Sequence, residues 1–179
     1  EQELTRMEEM LSAFLEYASI ERQRMSLQLT SVNLHQLITE LINECQPIAL
    51  QANVEIDYVT AEENIIINAD HHWLYRALMN LLTNGIRYSS NHVQVSVWQS
   101  ATTMSVCIAD DGPGIPSDQQ AEIFKPFIKL DKSRARNDGN FGLGLAIVNR
   151  IADWHHGSVN VRNHKILGGA EFRLVLPKT

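Results

Sequence analysis

Apolar residues near the start of the chain recur at alternating steps of three and four. This spacing is typical of a helix that packs against other helices, as in a coiled coil or a bundle. The positions concerned are Leu4, Met7, Leu11, Phe14 and Ala18. A single helix cannot bury this seam by itself. We therefore expect a second helix, from preceding chain or another subunit, and the alternative is a helix that folds back on its own domain.

From residue 27 the pattern becomes that of a compact domain of helices and strands. A short strand at 27–32 is predicted to precede a helix capped by Asn33, and Pro47 is expected to kink or end the first part of that helix. The buried stripe of this helix is predicted to be Leu34, Leu37, Ile38, Leu41 and Ile42.

The rest of the domain is predicted to alternate strands with two more helices. Asp70 is expected to cap a helix that runs to about Tyr88, and a further helix is expected at about 142–155. The predicted strands are 54–59, 64–68, 92–98, 103–110, 157–163 and 169–176.

Composition narrows the range of functions. The 179 residues suit one domain with an appendage, and the formal net charge of −6 argues against a nucleic-acid partner, which needs a basic face. No run approaches the ~20 apolar residues of a membrane span. Cys45 and Cys107 are far apart without metal-like spacing, so we expect reduced thiols in a cytosolic setting. Because the chain starts at Glu1, we expect it to be part of a longer protein.

A polar stripe marks one face of the predicted helix that ends near Tyr88. At about 100° per residue, its apolar and polar positions fall on opposite faces. The apolar set is Leu74, Leu78, Leu81, Leu82 and Ile86, and the polar set is Asn80, Asn84, Arg87 and Tyr88. Amide oxygens can bind Mg²⁺, which shares its other positions with water and phosphates that Arg87 would also meet. The alternative is a solvated helix face.

The strand at 103–110 ends in a carboxylate. Alternation places Asp110 on the same face as the apolar residues before it, whereas Asp111 points away. A carboxylate in that position needs a donor, which the exocyclic amine of adenine would supply. Gly112, Pro113 and Gly114 would let the backbone turn sharply beside a flat ring. The alternative is a tight turn with a capping aspartate.

A glycine-rich segment opens the last predicted helix. Gly142 and Gly144 would leave backbone N–H groups bare at a helix start, where phosphate binds well. Between this segment and Asp110 lie two phenylalanines and a basic run, which we interpret as a mobile lid over a polyphosphate; a solvated loop is the alternative. The residues of this lid are Phe124, Phe127, Lys129, Lys132, Arg134 and Arg136.

The ordered set of three motifs resembles the catalytic and ATP-binding domain of bacterial two-component sensor histidine kinases, over essentially the whole chain. The resemblance implies an α/β two-layer sandwich (α+β) of the Bergerat type, with a mixed β-sheet packed against three helices and one long N-terminal helix before it. Residues 1–26 would be the second helix of the dimerisation hairpin, and residues 27–179 would be the catalytic ATP-binding domain.

The resemblance also implies roles for residues at matching positions. Asn84 would be the principal Mg²⁺ ligand, with Asn80 the polar residue one turn before it, and Asp110 would read adenine. The other residues implied to bind ATP are Arg87, Tyr88, Gly112, Gly114, Ile115, Phe124, Phe127, Lys129, Arg134, Arg136, Gly142, Leu143, Gly144 and Leu145. The segment Gly168–Ala170 resembles the glycine pair that precedes the last strand of the family.

Two departures from the family pattern are present. Asn140 replaces the first glycine of the third motif, and because asparagine tolerates a left-handed backbone the turn can still form. Phe141 replaces the small hydroxyl residue that often follows, so one phosphate contact of the family is not expected here. None of the seven histidines lies in the His-Glu-Leu-Arg-Thr-Pro type of context that marks the phosphoacceptor. The acceptor helix is therefore expected upstream of Glu1.

The resemblance implies transfer of the γ-phosphate of Mg-ATP to a histidine of the dimerisation helix, for relay to an OmpR-like response regulator. The parent protein would be a homodimer in the bacterial inner membrane with this domain on the cytoplasmic side. The domain itself would contact neither nucleic acid nor the membrane. ATPases of similar fold carry a glutamate at position 80, so Asn80 favours the kinase. The alternatives are a nucleotide-binding regulatory module without transfer, an ATPase, or a dimerisation piece without nucleotide affinity.

Overall fold

The computed structural model describes residues 2–22, 27–61, 64–130 and 141–178. Its helices are α1 Gln2–Arg22, α2 Leu34–Gln51, α3 His71–Tyr88 and α4 Gly144–Trp154, with a single 3₁₀ turn at Glu122–Phe124 in this described part. Its strands are β1 Leu29–Asn33, β2 Glu55–Thr60, β3 Ile66–Asp70, β4 His92–Gln99, β5 Thr103–Asp110, β6 Ser158–Asn163 and β7 Ala170–Pro177. The predicted order of elements is confirmed, and the ends of the predicted strands shift by at most two residues.

Five strands form a mixed sheet in the order β2-β4-β5-β7-β6. Strand β2 runs parallel to β4, and the other neighbouring pairs are antiparallel. Helices α2, α3 and α4 share one hydrophobic core with this sheet, which confirms the predicted two-layer sandwich. Strands β1 and β3 form a separate antiparallel pair that the sequence pattern did not predict.

The inner face of the sheet is made by alternate apolar residues of its strands. Val93, Val95 and Val97 of β4 are at most 4% exposed and lie in register with Asp110, Ile108 and Val106 of β5. Fully burying one such apolar side chain contributes about 1.5–3 kcal/mol. The opposite face of the sheet carries exposed residues such as Trp98, so among the described residues the helices cover one face of the sheet.

Helix α2 begins as predicted and runs past Pro47. The Asn33 side chain accepts a hydrogen bond from the backbone N–H of Gln36, as an N-cap does. Of the two predicted effects of Pro47, a helix end there is wrong, because α2 continues to Gln51, and a kink stays a prediction. Buried Cys45 and Ala49 lie on either side of Pro47, so packing on the core holds the helix past the proline.

Helix α3 is anchored at its start by two other elements. Asp70 caps it by accepting from the backbone N–H of Trp73 at 3.3 Å, which confirms the predicted cap. The Asp70 backbone N–H in turn donates to Nε2 of the buried His155, just past α4, at 3.0 Å. The other ring nitrogen of His155 then donates to the Ile151 carbonyl at 2.8 Å. This arrangement fixes the end of α4 against the start of α3.

Helix α1 is buried against the domain in its C-terminal half. Ile20 is 1% exposed, and Glu16 forms a bidentate ion pair with Arg76 of α3. In the other half, Leu4 and Leu11 are 63% and 58% exposed. The alternative of a helix folding back on its own domain therefore holds for part of α1, and the pairing of the exposed seam with a second helix stays a prediction.

Membrane-spanning character is absent from the helices of the described residues, since none combines the length and the apolar composition that a bilayer crossing requires.

Candidate nucleotide-binding site

A cavity of about 430 Å³ lies among α3, the loop after β5, the start of α4 and β7. Asn84, Asp110 and Gly144, one from each of the three motifs, line it, although Asn84 and Asp110 alone are 26 positions apart in the chain. The three sequence motifs therefore meet at one cavity large enough for a small-molecule ligand.

The wall formed by α3 carries the predicted polar stripe. Asn80, Asn84, Arg87 and Tyr88 all line the cavity, while the predicted apolar stripe of the same helix is buried in the core. Asn80 donates from Nδ2 to the Gly144 carbonyl at 3.3 Å. This bond joins the first motif to the third and leaves the amide oxygen of Asn80 available as an acceptor.

Asp110 is 2% exposed, and its Oδ1 accepts from the backbone N–H groups of Gly112 at 2.9 Å and Ala170 at 3.1 Å. Burial raises the pKa of Asp110 above its ordinary value, and these two hydrogen bonds offset only part of that rise. Among the described residues, no donor reaches Oδ2. The carboxylate therefore has one oxygen fixed by the backbone and one that can accept from a ligand.

Two positions beside Asp110 are glycines because there is no room at either for a side chain. A Cβ on Gly112 would overlap the Tyr88 carbonyl oxygen, and a Cβ on Gly169 would overlap Asp110 Oδ1. Gly114 follows with a φ of +72°, which lies in the left-handed region that glycine adopts easily. The predicted sharp turn after Asp110 is confirmed.

The glycine-rich third motif brings the start of α4 to the cavity. Gly142 has a φ of +73°, and a Cβ there would lie 2.8 Å from the Ile128 carbonyl oxygen. Helix α4 begins at Gly144, and Ile147 N–H donating to the Leu143 carbonyl at 2.9 Å is an early bond of the helix. The N–H groups of the first helical residues have no partner within the helix, so they are available to an anion. Of the predicted residues here, Gly142, Gly144 and Leu145 line the cavity.

Four predicted residues lie near the cavity without lining it. Gly112 shapes the turn, and Leu143 is only 2% exposed. The Phe124 ring packs edge-on against Phe172, with centroids 6.2 Å apart. Phe127 stacks on Phe14 of α1 at 6.4 Å and so contacts the N-terminal helix. Their predicted roles toward ATP stay predictions.

The remaining predicted residues divide between the cavity and the undescribed lid. Ile115 and Lys129 line the cavity, and Lys129 is a second cationic side chain there besides Arg87. Arg134 and Arg136 lie outside the described residues, as does Asn140.

Some residues of the lining were not predicted from the sequence. They are Thr83, Pro116, Gln119, Ile123, Ile128, Leu130 and Phe172. Thr83 lies between Asn80 and Asn84 on the polar face, and its position on the helix could have indicated it. Ile123 and Phe172 belong to apolar patterns that look the same in a core and in a cavity wall, so no sequence signal separated them.

The fold and this cavity together define a nucleotide-binding domain in which an asparagine helix faces a glycine-rich helix start across one end of a mixed sheet. The family model described as histidine kinase-, DNA gyrase B- and HSP90-like ATPase matches residues 69–179. The chain belongs to this family, and it carries the ATP-binding catalytic domain found in sensor histidine kinases.

A curated relative extends the similarity over nearly the whole chain. The sensor protein RstB of Escherichia coli strain K12 is 33% identical over 175 residues, which cover 98% of this chain and 40% of RstB. The chain thus spans less than half the length of this relative.

Solved structures of histidine kinases share the fold. Full-length ShkA in complex with AMPPNP matches with a TM-score of 0.82 and 27% identity, over 93% of this chain and 35% of ShkA. The catalytic domain of ThkA matches with a TM-score of 0.76 and 28% identity, over 86% of this chain and 99% of that domain. ThkA in complex with the response regulator protein TrrA matches with a TM-score of 0.81 and 26% identity, over 99% of this chain and 49% of ThkA.

Proposed function

We propose that this domain binds Mg-ATP and transfers its γ-phosphate to a histidine of the dimerisation helices of a larger sensor kinase. The observation that carries the proposal is the meeting of Asn84, Asp110 and Gly144 at one cavity. Had these residues lined separate cavities, no single nucleotide could have contacted them all.

The residues present suit this ligand chemically. Oδ2 of Asp110 would accept from the exocyclic amine of adenine, because Oδ1 is already held by two backbone donors. Arg87, Lys129 and the start of α4 would hold the phosphates, and Arg134 or Arg136 would add a cation from the lid. The amide oxygens of Asn84 and Asn80 would hold the metal ion.

Phosphoryl transfer asks a protein mainly to position groups and to neutralise charge. Bound Mg²⁺ would supply charge neutralisation at the phosphates. The side chains of this domain would orient the triphosphate toward an incoming imidazole, which in the proposed assembly comes from the helix that pairs with α1. Position 80 argues against direct hydrolysis, because the carboxamide of Asn80 cannot act as the base that activates water.

The partners and location follow the same proposal. The complex of ThkA with TrrA supports a response regulator as the next acceptor, and we propose a regulator of the OmpR-like type. The exposed seam of α1 supports a homodimer in the full-length protein. We further propose that the parent is an inner-membrane protein with this domain on the cytoplasmic side.

A titration of this chain with Mg-ATP, followed by transfer of labelled γ-phosphate to a separately supplied acceptor hairpin, tests the proposal. We expect binding of Mg-ATP and label on the histidine, with the binding weakened and the transfer reduced in Asn84→Ala. Binding without transfer would favour a regulatory module, and phosphate release without acceptor would favour an ATPase. The proposal fails outright if the chain does not bind Mg-ATP.

A further inference from the structure

We propose that Asn163 is a positioning residue for the nucleotide: its carboxamide holds the Ile115 backbone and thereby fixes the cavity wall that follows Asp110. This inference rests on the proposed function, since it assigns Asn163 a part in ATP binding. The residue lies at the end of β6, on the far side of β7 from Asp110.

The carboxamide of Asn163 makes two hydrogen bonds to one residue. Oδ1 accepts from the Ile115 N–H at 2.8 Å, and Nδ2 donates to the Ile115 carbonyl at 3.1 Å. The side chain thus pairs with Ile115 as a neighbouring strand would, although the loop that contains Ile115 is not part of the sheet. A carboxamide is suited to this, because it carries one acceptor and one donor side by side.

The wall held in this way contains a glycine whose backbone is in the left-handed region. Gly114 has a φ of +72°, and a Cβ on it would lie 2.8 Å from Asn163 Oδ1, so Asn163 packs closely on this glycine. Gly114 and Ile115 both line the cavity, and Ile115 is 8% exposed. A glycine-containing turn has many accessible conformations when it is not held, so fixing it in advance favours binding.

Asn163 is also connected to Asp110 across the end of the sheet. Its register partner in β7 is Ala170, and the Ala170 N–H donates to Asp110 Oδ1 at 3.1 Å. Asn163 therefore holds one side of the turn that begins at Asp110, while Ala170 holds the carboxylate itself. Loss of the Asn163 bonds would let the Gly114–Ile115 wall move relative to Oδ2 of Asp110.

The test compares Asn163→Leu, which keeps the size and removes both bonds, with Asn160→Leu in the same chain. Asn160 is an exposed residue of the same type on the same strand. Dissociation constants for Mg-ATP and Mg-GTP are measured at a temperature well below the thermal unfolding midpoint of each variant. We expect Asn163→Leu to bind Mg-ATP about tenfold more weakly and with a reduced ATP-to-GTP preference, while Asn160→Leu stays within about twofold of wild type.

A second variant keeps the proposal testable if Asn163→Leu does not fold. Asn163→Asp retains the acceptor for the Ile115 N–H and loses the donor to its carbonyl, so its affinity for Mg-ATP should fall between those of wild type and Asn163→Leu. A role in stability alone would lower the unfolding midpoint and leave the nucleotide preference unchanged, and that result would overturn the proposal.

The two proposals fail in different ways. Tight binding of Mg-ATP by the wild-type chain with unchanged affinity and preference in the Asn163 variants would overturn only the role of Asn163. Absence of Mg-ATP binding by the wild-type chain would overturn the proposed function, and the role of Asn163 with it.

Discussion

Asp110 and Asp111 are consecutive in the chain, yet their carboxylates lie in opposite electrostatic environments. Burial raises the pKa of Asp110, and two backbone N–H groups only partly offset this. Burial also raises the pKa of Asp111, but the backbone N–H groups of His92, Asn91 and Ser90 outweigh it, and the pKa lies below its ordinary value. Asp111 thus stabilises the connection from α3 to β4, whereas Asp110 carries an unfavourable charge at the cavity.

Replacing each aspartate by asparagine should change stability in opposite directions at neutral pH. Asp110→Asn can still accept from Gly112 and Ala170 without a buried charge, so its free energy of unfolding should rise. Asp111→Asn exchanges charge-assisted hydrogen bonds for neutral ones, so its free energy of unfolding should fall by about 1 kcal/mol. Urea unfolding at pH 7 measures both changes, and a loss of stability in both variants would contradict the contrast.

The two effects should also depend on pH with opposite signs. The folded pKa of Asp111 lies below the ordinary 3.8, so its stabilisation is present above pH 3.8 and is lost as the pH falls through the folded value. The folded pKa of Asp110 lies above 3.8, so its unfavourable contribution develops as the pH rises from 3.8 through the folded value. The increase in the free energy of unfolding expected for Asp110→Asn should therefore become smaller as the pH is lowered.

Asp110→Asn should also shift the base preference of the cavity from adenine towards guanine. Since the Asn oxygen would stay with the two N–H donors on the Oδ1 side, its NH₂ group would take the place of Oδ2. A donor would then face the exocyclic amine of adenine, whereas the carbonyl of guanine would find a partner. We expect at least tenfold weaker Mg-ATP binding, or about 1.4 kcal/mol, and a smaller loss for Mg-GTP. Equal affinity of wild type and variant for Mg-ATP would remove the proposed role of this carboxylate.

Asn84→Ala should weaken nucleotide binding only when magnesium is present. The amide oxygen of Asn84 is proposed to hold the metal ion, so its removal should lower the affinity for Mg-ATP by about tenfold and leave ATP binding in EDTA unchanged. Asn68→Ala, at an exposed asparagine of β3, is the matched control. An equal loss with and without magnesium would assign Asn84 to the nucleotide itself.

His155→Phe should destabilise the domain without a direct effect on the cavity lining. His155 accepts from the buried Asp70 N–H and donates to the Ile151 carbonyl, and phenylalanine can do neither. An unpaired buried group costs about 1–3 kcal/mol. Thermal or urea unfolding of this variant, beside His156→Asn at the exposed neighbouring position, measures the effect. Similar stability of the two variants would show that the bond between α4 and α3 contributes little.

The order of elements and the polar face of α3 were predictable because each rests on local periodicity. Asn80 and Asn84 fall on the side opposite Leu78 and Leu82 in any straight helix, whatever surrounds it. The same holds for Asp110, whose direction is fixed by alternation along β5. These predictions needed no knowledge of other elements.

The contacts that close the site were not predictable in this way, because they join residues distant in the chain. Nothing near Asn163 in the sequence indicates that its side chain pairs with Ile115, 48 positions earlier. Pro47 shows the reverse case, since a local rule predicted a kink or a helix end there, whereas tertiary packing carries the helix on to Gln51. The position of α1 was likewise undecided, because its seam fits several partners equally well.

The contact between α1 and the domain should depend on Ile20 more than on the ion pair beside it. Glu16 and Arg76 make two hydrogen bonds, at 2.8 and 2.6 Å, but their side chains are 31% and 39% exposed. A pair so accessible to water contributes about 0.2–1 kcal/mol, as a double-mutant cycle with Glu16→Gln and Arg76→Gln would measure. Ile20→Ala, at a residue 1% exposed, should cost about 2–5 kcal/mol. Leu11→Ala, at a residue 58% exposed, is the control, and an equally small effect of Ile20→Ala would mean that α1 does not pack on the domain in solution.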